Sequence, residues 1–153
     1  MVLIDRSSAR LLCATSLALA SGALGQTANE TVSIRDGVFT AEQARRGQAA
    51  YTGPCDRCHG YKLDGASDDP DMLPAPPVGG AKFLRKWNGR TLASLFEYVR
   101  VTMPANNPGY LSNAEVADIV AYMLSFSGMP AGDDSLRPEL EALASVVIVS
   151  QSP

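Results

Sequence analysis

Two cysteines and a histidine stand within five consecutive residues, Cys55-Asp56-Arg57-Cys58-His59. Two thiols separated by two residues can each add to one of the two vinyl groups on the same edge of a porphyrin. The histidine directly after the second thiol is then carried beneath the ring, where its imidazole can bind the iron. This spacing is typical of covalent c-type haem attachment. His59 is the only histidine in the chain, so any other histidine chemistry would have to use the same residue.

Three other interpretations of this motif are open. A thioredoxin-like dithiol needs a βαβ context, for which the sequence has no pattern. A structural zinc ion needs four ligands, whereas Cys55, Cys58 and His59 supply three, and Cys13 lies in a segment that we expect to be removed. A disulfide between Cys55 and Cys58 would leave the adjacent His59 without a role. Haem attachment is therefore the favoured hypothesis.

The N-terminus has the pattern of a secretory signal. Arg6 and Arg10 precede an apolar stretch from Leu11 to Leu24, and small residues occupy the two positions that a signal peptidase reads. We expect a signal peptide over residues 1–25 and a soluble periplasmic protein. An uncleaved membrane anchor is the alternative, although the apolar stretch is short for a membrane span. Because c-type haem is attached outside the cytoplasm in bacteria, the signal and the motif predict the same compartment.

Length and charge are those of one small domain without affinity for nucleic acid. The chain has 153 residues and a formal net charge of −3, and it has no basic patch. We expect an N-terminal extension over residues 26–39, a haem-binding domain over 40–130 and a C-terminal tail over 131–153.

Apolar periodicity and capping patterns predict an all-α domain. Thr40 with Gln43, and Ser112 with Glu115, read as capping boxes at two helix starts. Gly47, inside the first helix, predicts that another helix approaches closely there, and the alternative is a weak position in a surface helix. Helices are predicted over about 41–51, 81–86, 92–101, 113–127 and 138–144, with an extended segment over 146–149 that packs on the body. The long loop over 60–80 is expected to wrap a haem edge.

Thioether side chains are the candidates for the second axial position of the iron, because no second histidine exists. Met123 lies on the apolar face of a helix, and Met72 stands among aspartates in a loop that we expect to be solvated. Met129 follows the last long helix, which would have to be displaced for this side chain to reach the iron. Met103 lies in a loop between two helices, with Pro104 restricting the backbone after it. Met103 is the favoured ligand, and packing as a core gap-filler is its alternative role.

The chain resembles the class I monohaem cytochromes c, especially small bacterial cytochrome c domains associated with quinoprotein dehydrogenases. The resemblance covers about residues 40–128. Its most specific elements are the haem motif and Met103-Pro104, and it extends to Gly47 with Tyr51, Leu63 with Gly65, the segment 76–80, Phe83 with Trp87, Thr91-Leu92 and the segment 119–122.

This resemblance implies a class I cytochrome c fold, with about three main helices around one haem. It implies thioether bonds at Cys55 and Cys58 and iron ligation by His59 and Met103. It also implies a hydrogen bond from the His59 ring to a proline carbonyl, for which Pro74, Pro76 and Pro77 are the candidates and Pro76 is favoured. Trp87 and Arg90 are candidate hydrogen-bond donors to a haem propionate, with core packing as the alternative for Trp87. Candidate apolar pocket residues are Val78, Phe83, Leu84, Trp87, Leu95 and Val99.

With both axial positions taken, the expected function is one-electron transfer without substrate contact. The expected partners are a donor dehydrogenase of the quinoprotein type and an acceptor oxidase or cytochrome of the respiratory chain. If Met103 is not a ligand, the alternative is a five-coordinate haem enzyme or gas sensor. A third hypothesis is an exported thiol protein without haem.

Overall fold

The computed structural model of the protein describes residues 31–67 and 69–150. Within these residues the chain is mostly helical, as predicted, and its one sheet has two short strands. The predicted signal peptide and Cys13 lie outside the described residues. The elements, in chain order, are β1 (Val32–Ser33), α1 (Ala41–Tyr51), α2 (Asp56–His59), α3 (Gly80–Trp87), α4 (Leu92–Thr102), α5 (Asn113–Phe126), α6 (Leu140–Ala144) and β2 (Val146–Val147).

Side-chain caps define the starts of the three longest helices. Thr40, Thr91 and Ser112 each accept a hydrogen bond from a backbone N–H in the first turn. Such bonds satisfy donors that a helix leaves unpaired at its start. At α5 the capping box is complete, because the Glu115 side chain also accepts from the backbone N–H of Ser112. The caps explain why these helix starts were predictable from the sequence.

The capping box predicted at α1 is only half formed. Thr40 accepts from the backbone N–H of Gln43, but the Gln43 side chain does not return to the cap. Instead its Nε2 donates to the carbonyl of Leu136 at 2.9 Å, and its Oε1 accepts from the Leu136 N–H at 2.7 Å. Gln43 is therefore a buried amide that ties the C-terminal segment to α1.

Helices α1 and α5 cross at Gly47, which packs directly against the other helix. A Cβ at this position would overlap the backbone carbonyl of Asp118 and lie 2.9 Å from the Cβ of Tyr122. Beside this contact, the Arg46 guanidinium donates to both carboxylate oxygens of Asp118, at 2.9 and 3.0 Å. The prediction that Gly47 marks a close helix approach is confirmed.

The segment after α5 covers one side of the core. Helix α6 packs on α4, and β2 pairs with β1 in parallel, Val32 opposite Val146. Beyond β2, the Ile148 N–H donates to the carbonyl of Arg90 at 2.8 Å. The prediction of an extended segment packed on the body is confirmed, although its pairing with residues 32–33 was not predicted. In the part of the chain described here, no helix has the length and apolarity needed to cross a membrane.

Candidate haem-binding site

The turn after α1, together with the short helix α2, presents the two cysteines and the histidine. The N–H of Cys55 donates to the carbonyl of Tyr51 at 3.1 Å, so the motif follows α1 almost without a break. The Asp56 carboxylate accepts from the Gly53 N–H at 2.9 Å and holds the turn. One helical turn, α2, then places Cys55 and Cys58 three residues apart, on the same face of that turn.

Gly60 ends α2 and allows the next loop to pass close to the motif. Its φ of 71° lies in the left-handed region, and a Cβ there would overlap the carbonyl of Ala66. The Tyr51 hydroxyl donates to the Gly60 carbonyl at 2.9 Å. Burial raises the pKa of Tyr51 far above its usual range, which keeps the hydroxyl protonated as a donor.

Both thiols are free, and the Cys55 thiol is not activated as a nucleophile. Burial, followed by the nearby Asp56 and Cys58, raises the pKa of Cys55 to about 11. Reactive dithiols depend instead on a lowered thiol pKa. The environment of Cys55 therefore argues against a thioredoxin-like redox site.

The imidazole of His59 is fixed by the loop that follows it. Its Nδ1 lies 2.8 Å from the carbonyl oxygen of Pro76, the proline favoured on sequence grounds. A carbonyl can only accept, so this contact requires that Nδ1 carries the proton. The lone pair is then on Nε2, the nitrogen left to bind a metal.

One cavity of about 690 Å³ brings together five of the predicted site residues, Cys55, Cys58, His59, Pro76 and Met103. This volume falls within the range of about 300–1,000 Å³ that is usual for cofactor sites. Its lining is mostly apolar and contains one charged side chain, Arg57, which pairs with Asp69. The lining residues are Tyr51, Gly53, Pro54, Cys55, Arg57, Cys58, His59, Met72, Leu73, Ala75, Pro76, Val78, Val99, Met103, Pro104, Ala105, Asn106, Ile119 and Met123.

These residues fit a haem c in cavity volume and in chemistry. Two thiols, one imidazole with a free Nε2 and several thioethers line one apolar cavity. The same donor set fits a bare metal ion poorly. Among residues 31–67 and 69–150, no three His, Cys, Asp or Glu side chains are grouped to hold one.

Three of the four candidate methionines reach the cavity. Met103 lines it as the C-cap residue that follows α4, and its N–H donates to the carbonyl of Val99 at 2.9 Å. Met123 also lines it from α5 and is 3 % exposed. Met72, expected in a solvated loop, is half-buried and lines the cavity too. Met129 is buried elsewhere.

Trp87 and Arg90, the candidate propionate donors, do not line the cavity. The Arg90 guanidinium lies 5.3 Å from the centre of the Trp87 ring, and the Trp87 ring packs edge-on against Tyr98 at 5.8 Å. These contacts agree with the alternative of core packing for Trp87. A hydrogen bond from either residue to a propionate stays a prediction.

The apolar lining was only partly predicted. Val78 and Val99 line the cavity, whereas Phe83, Leu84 and Leu95 belong to the buried core beside it. Four further lining residues were not predicted as pocket residues, although two of them, Tyr51 and Ile119, belong to the segments that carry the family resemblance. The four are Tyr51, Pro54, Asn106 and Ile119. Ile119 had a usable signal, because it stands four residues before Met123 on α5 and shares its face.

Comparison with known proteins finds a described family whose model covers the part of the chain that contains this site. The family model for cytochrome c oxidase, cbb3-type, subunit III matches residues 42–123, a segment that contains the cysteines, His59 and Met103. No curated protein matches the chain. Among solved structures, the sulfane dehydrogenase SoxCD from Paracoccus pantotrophus matches with a TM-score of 0.50 and 22% sequence identity. The match covers 87% of this chain and 68% of that chain, and it concerns the fold.

Proposed function

The chain belongs to a cytochrome c family, that of subunit III of cbb3-type cytochrome c oxidase, and from this premise we propose a one-electron carrier with a single covalent haem c. Cytochromes c are electron-transfer proteins, so the general function follows from the family. The proposal adds attachment through Cys55 and Cys58 and axial ligation by His59 and Met103. The observation that carries it is the His59 ring, which lines the cavity with Nδ1 held by Pro76 and Nε2 left for the iron.

A bound haem c supplies reversible one-electron Fe(III)/Fe(II) chemistry, and its axial ligands set much of its potential. The chain contributes orientation, because the Pro76 carbonyl fixes the tautomer and the plane of His59. It also contributes a soft thioether donor from Met103, which favours the reduced state. Apolar lining residues such as Val78, Val99 and Ile119 keep water away and act in the same direction.

The first experiment measures haem content and axial ligation in the purified protein. We expect one covalent haem per chain in a pyridine haemochrome assay. We also expect the weak far-red band of thioether-bound ferric haem, and no carbon monoxide binding after reduction. A protein without covalent haem, or one that binds carbon monoxide rapidly, would overturn the proposal. The second outcome would favour the five-coordinate enzyme or gas sensor.

Substitution of Met103 tests the identity of the thioether, with Met72 as the matched control because both line the cavity. M103A should lose the far-red band, bind carbon monoxide and show a lower potential, since axial ligands move haem potentials over a range of about 0.8 V. M72A should keep all three wild-type properties. Loss of the band in M72A, with M103A unchanged, would assign the ligand to Met72.

We further propose that the donor is a dehydrogenase and that the protein works after export to the periplasm. The similarity in fold to SoxCD, a sulfane dehydrogenase by its description, supports a dehydrogenase partner. The signal pattern in residues 1–25 supports export. Redox contacts of this kind are small and short-lived. Co-purification from native cells after mild cross-linking should therefore recover a dehydrogenase, and a cytoplasmic location of the haem-loaded protein would contradict the export proposal.

A further inference from the structure

The loop between α2 and α3 folds back on one residue, Leu63. The Leu63 N–H donates to the carbonyl of Gly60 at 3.1 Å. Its carbonyl accepts two hydrogen bonds from the far end of the same loop, from the N–H groups of Val78 at 2.9 Å and Gly79 at 3.1 Å. The start and the end of the loop are therefore joined at a single peptide group.

Leu63 adopts an unusual backbone conformation to make these bonds. Its φ is 54°, and it is the only non-glycine residue with a positive φ in the described part of the chain. A residue with a Cβ adopts this region at a cost, so the surroundings must impose it. The Leu63 side chain is fully buried, and the position of a Cβ on Gly79 would be only 2.8 Å from Leu63 Cβ and from Phe126 Cδ1.

Backbone hydrogen bonds also join the two sides of the loop at a second residue, Gly65, next to the histidine. The Gly65 N–H donates to the backbone carbonyl of His59 at 2.9 Å, and the Gly65 carbonyl accepts from the Ala75 N–H at 3.0 Å. The ideal Cβ position on Gly65 is 3.1 Å from the carbonyl carbon of Pro76. Pro76, whose carbonyl holds the His59 ring, therefore lies between two anchored residues. Ala75 before it is bonded to Gly65, and Val78 after it is bonded to Leu63.

We propose that Leu63 is a positioning residue that holds the Pro76 carbonyl on Nδ1 of His59 and thereby sets the donor strength of that imidazole. The inference rests on the proposed function, because donor strength matters only when Nε2 binds iron. A carbonyl that accepts from Nδ1–H makes the imidazole a stronger donor. A stronger donor stabilises the ferric state, so loss of this hydrogen bond raises the potential.

Leu63→Ala tests the proposal in the haem-loaded protein, with Leu143→Ala as the matched control. Both leucines are buried, so both variants remove the same atoms from the core. Leu143, however, lies on α6, away from the cavity lining and from the loop that carries Pro76. We expect the His59 Nδ1 proton, followed by NMR, to exchange about tenfold faster in L63A and the potential to rise. L143A should lose stability while its Nδ1 exchange and its potential stay at wild-type values.

Equal Nδ1 exchange and equal potentials in the two variants would overturn the proposal. A second measurement needs no variant and covers the case in which L63A does not fold. In the wild-type protein, the Nδ1 proton and the amides of Val78 and Gly79 should exchange with one common opening equilibrium. Exchange of the Nδ1 proton independently of these two amides would also overturn it. A wild-type protein without haem would instead refute the proposed function.

Discussion

Replacement of Gly47 by alanine sets helix propensity against packing, and the structure predicts that packing decides the result. In an isolated helix, alanine is about 1 kcal/mol more favourable than glycine. At the crossing of α1 and α5, however, the added methyl group would overlap the Asp118 carbonyl and meet the Tyr122 Cβ at 2.9 Å. The first of these obstacles is backbone and cannot rotate away, so the helices must separate.

The expected net effect of G47A is a loss of about 2 kcal/mol. Inserting a methyl group into a packed contact costs about 1–3 kcal/mol, and more where backbone must move. Separation of the helices also lengthens the contact between Arg46 and Asp118, now at 2.9 Å, although this half-exposed pair contributes little. The gain in propensity offsets part of the cost. For a folded region of about 120 residues, the midpoint of thermal unfolding should fall by roughly 6–10 °C.

The measurement is urea and thermal unfolding of the haem-loaded protein, followed by far-ultraviolet circular dichroism. The control is Ala49→Gly, an exposed position in the same helix, which reports propensity alone and should cost about 1 kcal/mol. If propensity dominated, the two substitutions would shift stability in opposite directions. A G47A variant as stable as the wild type, or more stable, would refute the argument that the helices are in backbone contact at this point.

Two further predictions concern polar contacts that hold the helices. Gln43→Leu should cost about 2–3 kcal/mol in urea unfolding, because it leaves the buried N–H and C=O of Leu136 unpaired; an unchanged midpoint would show that water replaces the amide. Ser112→Ala should cost about 1 kcal/mol at neutral pH. Hydrogen bonds from Ser112 lower the pKa of Glu115 in the folded chain. The stabilisation that the charged Glu115 carboxylate provides is therefore lost as the pH falls through that lowered pKa. The cost of Ser112→Ala should therefore shrink in acid, and a cost independent of pH would contradict the carboxylate's role.

Local patterns were sufficient to predict the main helices and to locate the proposed attachment motif. The spacing of Cys55, Cys58 and His59 is fixed by the covalent chain, so it can be read without knowledge of the fold. The starts of the main helices were likewise predictable, because an N-cap side chain bonds to a backbone N–H within its own first turn. Gly47 was informative for a different reason. Glycine lowers the stability of a helix, so its presence inside one indicates that another backbone comes close at that point.

Other features depended on which distant segments meet, and a pattern read along the chain does not contain that information. Gln43 fits a capping box by spacing, yet its amide bonds to Leu136, 93 residues away. Met72 stands among polar neighbours in the sequence, yet its loop returns to the cavity because Gly65 and Leu63 fasten both ends of that loop. Trp87 and Arg90 stand in the sequence between Val78 and Val99, which line the cavity. Yet the Arg90 guanidinium packs over the Trp87 ring, and neither residue lines the cavity.

The sequence by itself indicated a cytochrome c, the helical class and the donor side chains for the proposed haem iron, since all of these follow from residue identity and short spacing. Only the tertiary structure decided which methionines reach the cavity and which proline carbonyl orients His59. It also showed that hydrogen bonds of one residue, Leu63, join the start of the loop between α2 and α3 to its end. These outcomes depend on backbone hydrogen bonds and packing between segments far apart in the chain, where many arrangements satisfy the same local preferences and the shared core selects one.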